Sequence, residues 1–126
     1  MKEFMMIFRN DKVEGGDQRS AEQMQAVLKQ WRDWIGNVAA RGNFSSTNRL
    51  KSEGATLKPG GVVIDGPYAE VKEMIGGYLV VKAETLAEAM EMAKSCPGLT
   101  YGGSVEVRVV MNMDADTSSS TFLGEQ

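Results

Sequence analysis

Apolar residues recur with a helical period in two segments of this chain, and a capping-box pattern precedes each of them. Ser20 and Thr85 are the predicted N-caps, each with Gln or Glu three residues later. Arg41-Gly42 would end the first helix with a basic residue and a glycine stop, and Cys96-Pro97-Gly98 would end the second. Two amphipathic helices are therefore predicted.

Strands are predicted where short apolar runs lie between turn signals, at residues 4–9, 44–50, 77–83 and 105–111. A small hairpin that turns at Pro59-Gly60-Gly61 is inserted before the third of them. The order is strand, helix, strand, hairpin, strand, helix, strand. It predicts an α+β domain with the ferredoxin-like β-α-β-β-α-β fold and a small hairpin insertion.

The first and third predicted strands carry apolar residues on both faces. Two helices can cover only one face of a four-stranded antiparallel sheet, so the other face needs a second covering layer. A second copy of the same sheet is the simplest one. A homodimer through the face opposite the helices is therefore predicted.

Length and charge restrict the class of protein. The 126 residues suffice for one domain, expected over residues 1–113, and the polar stretch 114–126 is expected to be a mobile tail. The net charge is −3 without a run of Lys or Arg, so nucleic acid is not an expected partner. The apolar start before Arg9 is too short for a signal peptide or a membrane span, and a cytoplasmic protein without a membrane partner is expected.

Histidine is absent from the sequence. Ser–His and Cys–His nucleophile pairs and His-ligated zinc or iron sites therefore cannot be formed. The single cysteine, Cys96, precedes Pro97; it fits a reducing compartment and is expected to be a small core residue. No spacing of Asp and Glu looks like a calcium loop, so neither a metal nor another cofactor is expected.

Residues 65–78 contain the highest density of candidate site residues. Asp65 can cap the turn at Gly66-Pro67, and Gly76-Gly77 leads into the third strand. Glycines in this position either admit a ligand or allow a bulge in the strand. The segment therefore has a ligand-binding interpretation and a purely structural one.

Charged side chains fill the middle of this segment. One helical turn would place Glu70 and Glu73 on the same side, with Lys72 pointing elsewhere. Such a group could transfer protons and bind a polar ligand, or it could form ion pairs that lock the loop against the sheet. Carboxylates favour the protonated form of a nearby lysine, so Glu70 and Glu73 are the candidate catalytic groups and Lys72 is a candidate anion anchor.

Further ligand-binding candidates flank this group. Asp65 and Tyr78 border it, and Arg108 shares a face of the last strand with Glu106, where the two could bind an anion or form a salt bridge. On the first helix, Trp31 follows the apolar stripe. Trp34, in contrast, lies off its centre and could face a partner or a cleft wall.

These residues resemble the YCII-related family, in the branch known as DGPF-domain proteins. The similarity runs over residues 4–110. Its specific core is Asp65-Gly66-Pro67, followed by Tyr68 where the branch usually has Phe, and then by Glu70, Lys72-Glu73 and Gly76-Gly77-Tyr78. The resemblance implies a dimeric α/β barrel, in which two ferredoxin-like sheets face one another, with a pocket between sheet and helices. The His–Asp dyad of the better-studied branch has no counterpart here, so its chemistry is not implied.

Three functions stay open at this point. The first is a homodimer that binds a small polar or anionic molecule in a pocket at residues 65–78. The second is a non-enzymatic regulatory partner in sigma-factor-linked transcription, because some DGPF-type proteins are similar to products of genes beside alternative sigma factors. The third is a cofactor-free oxygenase-like enzyme, a class that the dimeric α/β barrel also hosts; a wide apolar cleft near Trp31 or Trp34 would favour it.

Overall fold

The computed structural model describes residues 1–9, 20–51, 53–66 and 74–111 of the chain. The elements follow in the order β1 (Lys2–Arg9), α1 (Ala21–Ala40), β2 (Phe44–Arg49), β3 (Ala55–Lys58), β4 (Val62–Asp65), β5 (Ile75–Ala83), α2 (Leu86–Ala93), α3 (Pro97–Thr100) and β6 (Ser104–Val109). A 3-10 turn at Pro59–Gly61 joins β3 to β4.

The strands form a four-stranded antiparallel sheet in the order β2-β5-β1-β6, and β3 pairs with β4 as a separate hairpin. The two strands that are apolar on both faces, β1 and β5, are the central pair. The helices pack on one face of this sheet. The predicted α+β, ferredoxin-like fold with a hairpin insertion is confirmed.

Both predicted N-caps are formed, and the reciprocal bond of a capping box is present at Ser20 but not at Thr85. Ser20 Oγ accepts a hydrogen bond from the Gln23 N–H at 3.2 Å, and Gln23 Oε1 accepts one from the Ser20 N–H at 2.8 Å. Thr85 Oγ1 accepts one from the Glu88 N–H at 3.1 Å. Each cap satisfies a backbone donor that the first helical turn leaves without a partner.

The predicted end of the second helix is wrong in detail. α2 already ends at Ala93, and Pro97 begins the short helix α3 instead of closing α2. Proline suits the first turn of a helix because it lacks the N–H that would have no intrahelical partner there. Residues 96–98 therefore do mark a boundary between elements, but the boundary is the start of α3 and not the end of α2.

The hydrophobic core lies between the sheet and the helices. Alternate residues of β1 and β5 point into it, and Phe4, Met6, Leu79 and Val81 are almost completely buried. The helices contribute Trp34, Val38, Ala89, Met92 and Ala93, and Cys96 completes the cluster. Cys96 is therefore a core residue, as the sequence predicted.

The opposite face of the sheet is also partly apolar. Met5 and Ile7 of β1 lie there half-buried, next to Tyr78 and Val80 of β5 in the strand register. The described helices pack on the other face of the sheet, where their side chains form the core cluster, and none of them packs on this face. The two-sided character of the central strands is confirmed, and the homodimer inferred from it stays a prediction.

The buried position of Cys96 changes the chemistry of its thiol. Burial raises its pKa from the ordinary value of 9.0 to about 11, although hydrogen bonds with the backbone at Gly98 and Leu99 act in the opposite direction. Since the thiolate is the reactive form, the folded protein should protect this group. The raised pKa also makes stability depend on pH.

We expect Cys96 to react with a disulfide reagent at mildly alkaline pH far more slowly in the folded protein than in denaturant. The thiol's contribution to stability is fully present below pH 9.0 and is lost as the pH rises towards 11, because the unfolded chain ionises first. Absorbance of the released reagent measures the rate, and the denatured protein is the control. Equal rates in the two states would contradict the burial of this thiol.

No helix within the described ranges is long and apolar enough to cross a bilayer. The expected polar tail, residues 114–126, lies outside the described residues, so the predicted domain limits stay a prediction.

Candidate functional site

A cleft of about 250 Å³ lies between α1 and the part of the sheet where β2 pairs with β5. One wall consists of apolar side chains of α1 together with Phe8 of β1, and the opposite side consists of residues of β2 and β5. The lining residues are Phe8, Met24, Val27, Leu28, Trp31, Ile35, Thr47, Asn48, Arg49, Leu50, Gly76, Gly77 and Tyr78. This cleft contains the last three residues of the predicted 65–78 site segment.

Two aromatic side chains give the apolar wall a defined geometry. The rings of Phe8 and Trp31 meet edge to face with centroids 4.9 Å apart and an interplanar angle of 73°. Trp34 supports this pair from the core, with its centroid 5.9 Å from Trp31 and 6.0 Å from Phe8. Edge-to-face contacts of this kind hold the rings in preferred orientations.

The glycine pair brings two backbones close together at the cleft. A Cβ on Gly77 would lie 2.8 Å from the backbone oxygen of Asn48, so β2 and β5 approach here more closely than side chains would allow. The Leu50 N–H donates a hydrogen bond to the Gly76 oxygen at 2.9 Å. The floor of the cleft is therefore backbone, without side chains at these two positions.

The bulge interpretation of the two glycines is confirmed. Residues of β1 up to Phe8 pair in register with β5, but Arg9 pairs with Ile75 instead of Gly76. Gly76 is thus the extra residue of an irregularity in β5. A bulge and a ligand cleft are compatible, because bulges are common next to sites.

The polar residues at the cleft belong to β2 and to Tyr78. Thr47 Oγ1 donates a hydrogen bond to the Tyr78 backbone oxygen at 2.8 Å, and Asn48 Nδ2 donates one to the Tyr78 hydroxyl at 2.9 Å. Alternation along β5 places the Tyr78 ring on the sheet face away from the helices, beside Ile7. Tyr78 therefore borders the cleft, while its hydroxyl is bound at the other face.

Arg49 is the single charged residue among those that line this cleft. Its side chain is exposed at the end of β2. Within the part of the chain that the structure describes, no carboxylate forms an ion pair with its guanidinium. A cation with free donors at the mouth of an apolar cleft can bind the charged end of an anionic ligand.

The structure does not bring the other predicted ligand-binding residues to this cleft. Asp65 is exposed at the end of β4, away from the cleft lining. The turn after it is held by the backbone of Gly66, which donates to the Gly54 oxygen at 2.7 Å and accepts from Thr56 Oγ1 at 3.0 Å. The residues that Asp65 was predicted to cap continue beyond Gly66 and lie outside the described ranges.

Arg108 lies on β6, the sheet edge opposite β2, and does not line the cleft. Its Nε is 3.9 Å from Glu106 Oε2, while Glu106 Oε1 accepts a charge-assisted hydrogen bond from Arg9 Nη1 at 2.6 Å. The cross-strand pair is thus Arg9–Glu106, with Arg108 as a second, weaker contact. This arrangement fits the salt-bridge interpretation of Glu106 better than an anion site.

The candidate residues Glu70, Lys72 and Glu73 lie outside the described residues, so their predicted roles stay predictions. In the described ranges, no three His, Cys, Asp or Glu side chains come close enough together to hold a metal ion.

Each of the two tryptophans has both of the roles that the sequence divided between them: both contact the core cluster, and each borders a cleft. Trp34 is only 7% exposed, and its indole N–H donates to Ser95 Oγ at 2.9 Å and to the Met92 oxygen at 3.3 Å. Trp31 is half-buried and lines the cleft. The helical stripe alone could not distinguish them, because α3 and β1 decide which part of α1 is covered.

A second, more open cleft of about 420 Å³ lies between α1 and α2. Trp34 borders it, and its rim carries Arg41 of the α1 end and the α2 carboxylates Glu88 and Glu91. Glu91 is paired with Lys94, at 2.5 Å. Because this rim carries both signs of charge, it has less preference for an anion than the Arg49 cleft.

A family model described as the YCII-related domain matches residues 4–114. No curated protein matches the chain. Among solved structures, the chain is similar to 5-chloro-2-hydroxyhydroquinone dehydrochlorinase (TftG) from Burkholderia phenoliruptrix in complex with 2,5-dihydroxybenzoquinone, with a TM-score of 0.52, 16% identity, and coverage of 89% of this chain and 97% of that chain. At this identity the likeness concerns the fold alone.

Proposed function

Because this chain belongs to the YCII-related domain family, we propose that it is a homodimer that binds a small polar or anionic molecule in the cleft between α1 and the β2–β5 pair. The observation that carries this proposal is the cleft itself. It joins an aromatic wall, a glycine backbone floor and Arg49, a cation that no described carboxylate pairs with, beside the end of the segment that the sequence had singled out. Concave apolar sites with a few oriented polar groups are the usual form of small-molecule sites.

The related structure supports a small ligand. TftG, which shares the fold at 16% identity, was solved with 2,5-dihydroxybenzoquinone bound. A small oxygen-bearing ring is thus a ligand that this fold can hold. The identity of the ligand of the present chain does not follow from that complex.

The candidate residues of the 65–78 segment that lie outside the described ranges complete the proposal. Glu70 and Glu73 would supply an acid–base group if the protein converts its ligand, and Lys72 would add a second cation for an anionic one. A carboxylate is required for this task because the chain has no histidine. Binding is proposed independently of whether a reaction follows.

One alternative function is favoured by a specific observation. Most of the cleft lining is apolar, and it lies at Trp31 as an oxygenase-like site would require. An oxygenase-like site is expected to be a wide apolar cleft, whereas β2 adds three polar residues to this one: Thr47, Asn48 and Arg49. The regulatory alternative concerns partner proteins, and no feature of the cleft favours it.

The cleft can be tested by NMR with four single-ring probes: benzoate, cyclohexanecarboxylate, benzylamine and benzyl alcohol. We expect at least one of them to shift the Gly76 and Gly77 amide signals and the Trp31 indole N–H signal. The amide of Gly42, at the far end of α1, serves as the remote control. Probes that shift none of the cleft signals would contradict the proposed binding site.

The homodimer is supported by the half-buried residues Met5 and Ile7 on the sheet face that no described helix covers. We expect light scattering at micromolar concentration to give twice the mass of the chain. Met5→Glu places a charge on that face and should shift the mass to that of the monomer, because an unpaired charge is costly to bury. Leu86→Glu is the control: Leu86 is exposed in the first turn of α2, where an acidic residue is favourable. A monomeric wild-type protein would contradict the dimer.

A further inference from the structure

The size of the cleft restricts its ligand. Pockets for drug-sized molecules occupy roughly 300–1,000 Å³, whereas an apolar cavity of about 150 Å³ holds a benzene molecule. The cleft of about 250 Å³ lies between these values. A ligand with one ring and a short substituent therefore matches it, and a dinucleotide does not.

The walls of the cleft favour a flat and aromatic ring. Gly76 and Gly77 add no side chain to the floor, and the space where Gly77 lacks a Cβ is filled by the Asn48 backbone oxygen, 2.8 Å from that position. The opposite wall presents the Phe8–Trp31 pair, whose rings are held edge to face. The ring of a ligand can add to these aromatic contacts in the same edge-to-face geometry, which a saturated ring cannot.

The charge at the cleft favours an anionic substituent. Arg49 is the one charged lining residue, and no described carboxylate pairs with it. The other cation of this part of the sheet, Arg9, is already engaged by Glu106 at 2.6 Å. Arg49 thus has its five N–H donors available for an oxygen anion.

Resting on the proposed binding function, we infer that the cleft takes a small aromatic acid: one planar ring with a carboxylate or phenolate, its ring against Phe8 and Trp31 and its anionic oxygens at Arg49. The aromatic wall selects the ring and Arg49 selects the charge. Thr47 and Asn48 are not needed to bind the acid, because their side chains already donate hydrogen bonds to Tyr78.

The same NMR titration distinguishes this inference from the proposed function. Benzoate should bind about 2- to 12-fold more tightly than cyclohexanecarboxylate, because the two share charge and approximate size but only benzoate can make the aromatic contacts. It should also bind more tightly than benzylamine, whose charge is opposite. Cleft binding by any probe without these two preferences would overturn the aromatic-acid inference and leave the binding site intact; no cleft binding at all would overturn both.

Substitutions assign the two determinants to residues. Arg49→Gln should weaken benzoate binding about tenfold through loss of the charge-assisted hydrogen bonds and leave benzyl alcohol binding unchanged. Arg32→Gln, an exposed arginine of α1 outside this cleft, is the matched control and should change neither. Trp31→Phe keeps an aromatic edge and should preserve the preference for benzoate, whereas Trp31→Leu should reduce it. Equal effects of Arg49→Gln and Arg32→Gln would overturn the role of Arg49.

Discussion

Replacing Phe4 with alanine is expected to lower the free energy of unfolding by about 3–5 kcal/mol. Phe4 is 1% exposed in the centre of the core, on the central strand β1. Its removal loses the transfer free energy of a large aromatic side chain and leaves a cavity that strands on both sides, paired at Val81 and Val109, prevent from closing. Chemical denaturation monitored by circular dichroism measures the change.

Met5→Ala is the matched control for this prediction. Met5 is the next residue of the same strand, lies on the opposite face and is half-buried. Its truncation should cost clearly less than that of Phe4 in conditions where the protein is monomeric. Equal losses at the two positions would mean that both sheet faces contain a core of the same quality, contrary to the position of the helices.

Gly77→Ala is expected to destabilise the protein by about 1–3 kcal/mol and to disturb the cleft. The added Cβ would lie 2.8 Å from the Asn48 oxygen and 3.3 Å from the Arg49 Cα. Both contacts are with backbone, so β2 must move away from β5, and Arg49 moves with it. Thermal denaturation measures the stability, and the benzoate titration measures the cleft.

Gly36→Ala is the control because it makes the same chemical change at an open position. Gly36 lies inside α1, and nothing is within 4 Å of a Cβ added there. Alanine should stabilise the helix by about 0.5–1 kcal/mol, since glycine loses more backbone entropy on folding. A Gly77→Ala protein as stable as the wild type would show that the two strands can separate at no cost.

The elements of this fold could be predicted from local patterns. The Ser20 capping box and the Thr85 cap formed as expected because their partners lie three residues away and need no tertiary contact. Central strands were recognisable from two-sided apolar runs, since only interior strands can bury both faces. The family resemblance, carried by the 65–78 segment, agrees with the match over residues 4–114.

The candidate site was predicted only in part. Gly76, Gly77 and Tyr78 do border the cleft, and the glycine pair was visible in the sequence as a place for a bulge or a close backbone approach. Arg49 was missed: it ends an edge strand with no motif around it, and its position beside the glycine pair depends on the pairing of β2 with β5. The register between two strands cannot be read from their spacing in the sequence when a loop of unknown conformation lies between them.

The assignment of charge partners also required the tertiary structure. From sequence, Glu106 and Arg108 were two residues apart and shared a face; in the fold, Arg9 from the neighbouring strand takes the shorter contact with Glu106. Arg9 is the diagonal neighbour of Glu106 across the β1–β6 pair, a separation that a long side chain can span. Arg108 therefore does not share a site with Tyr78, which lies two strands away in the sheet.

By itself, the sequence determined the types and order of the main helices and strands and the need to cover both faces of the central strands, because these follow from periodicity and caps. Only the tertiary structure decided that Trp31 and not Trp34 lines the cleft, and that Arg49 is its cation. The physical reason is that the neighbours of Trp31 on the helix and of Arg49 at the strand end are fixed only when α1 packs across β1, β2 and β5. Burial and ion pairing are properties of that placement, whereas periodicity belongs to the chain.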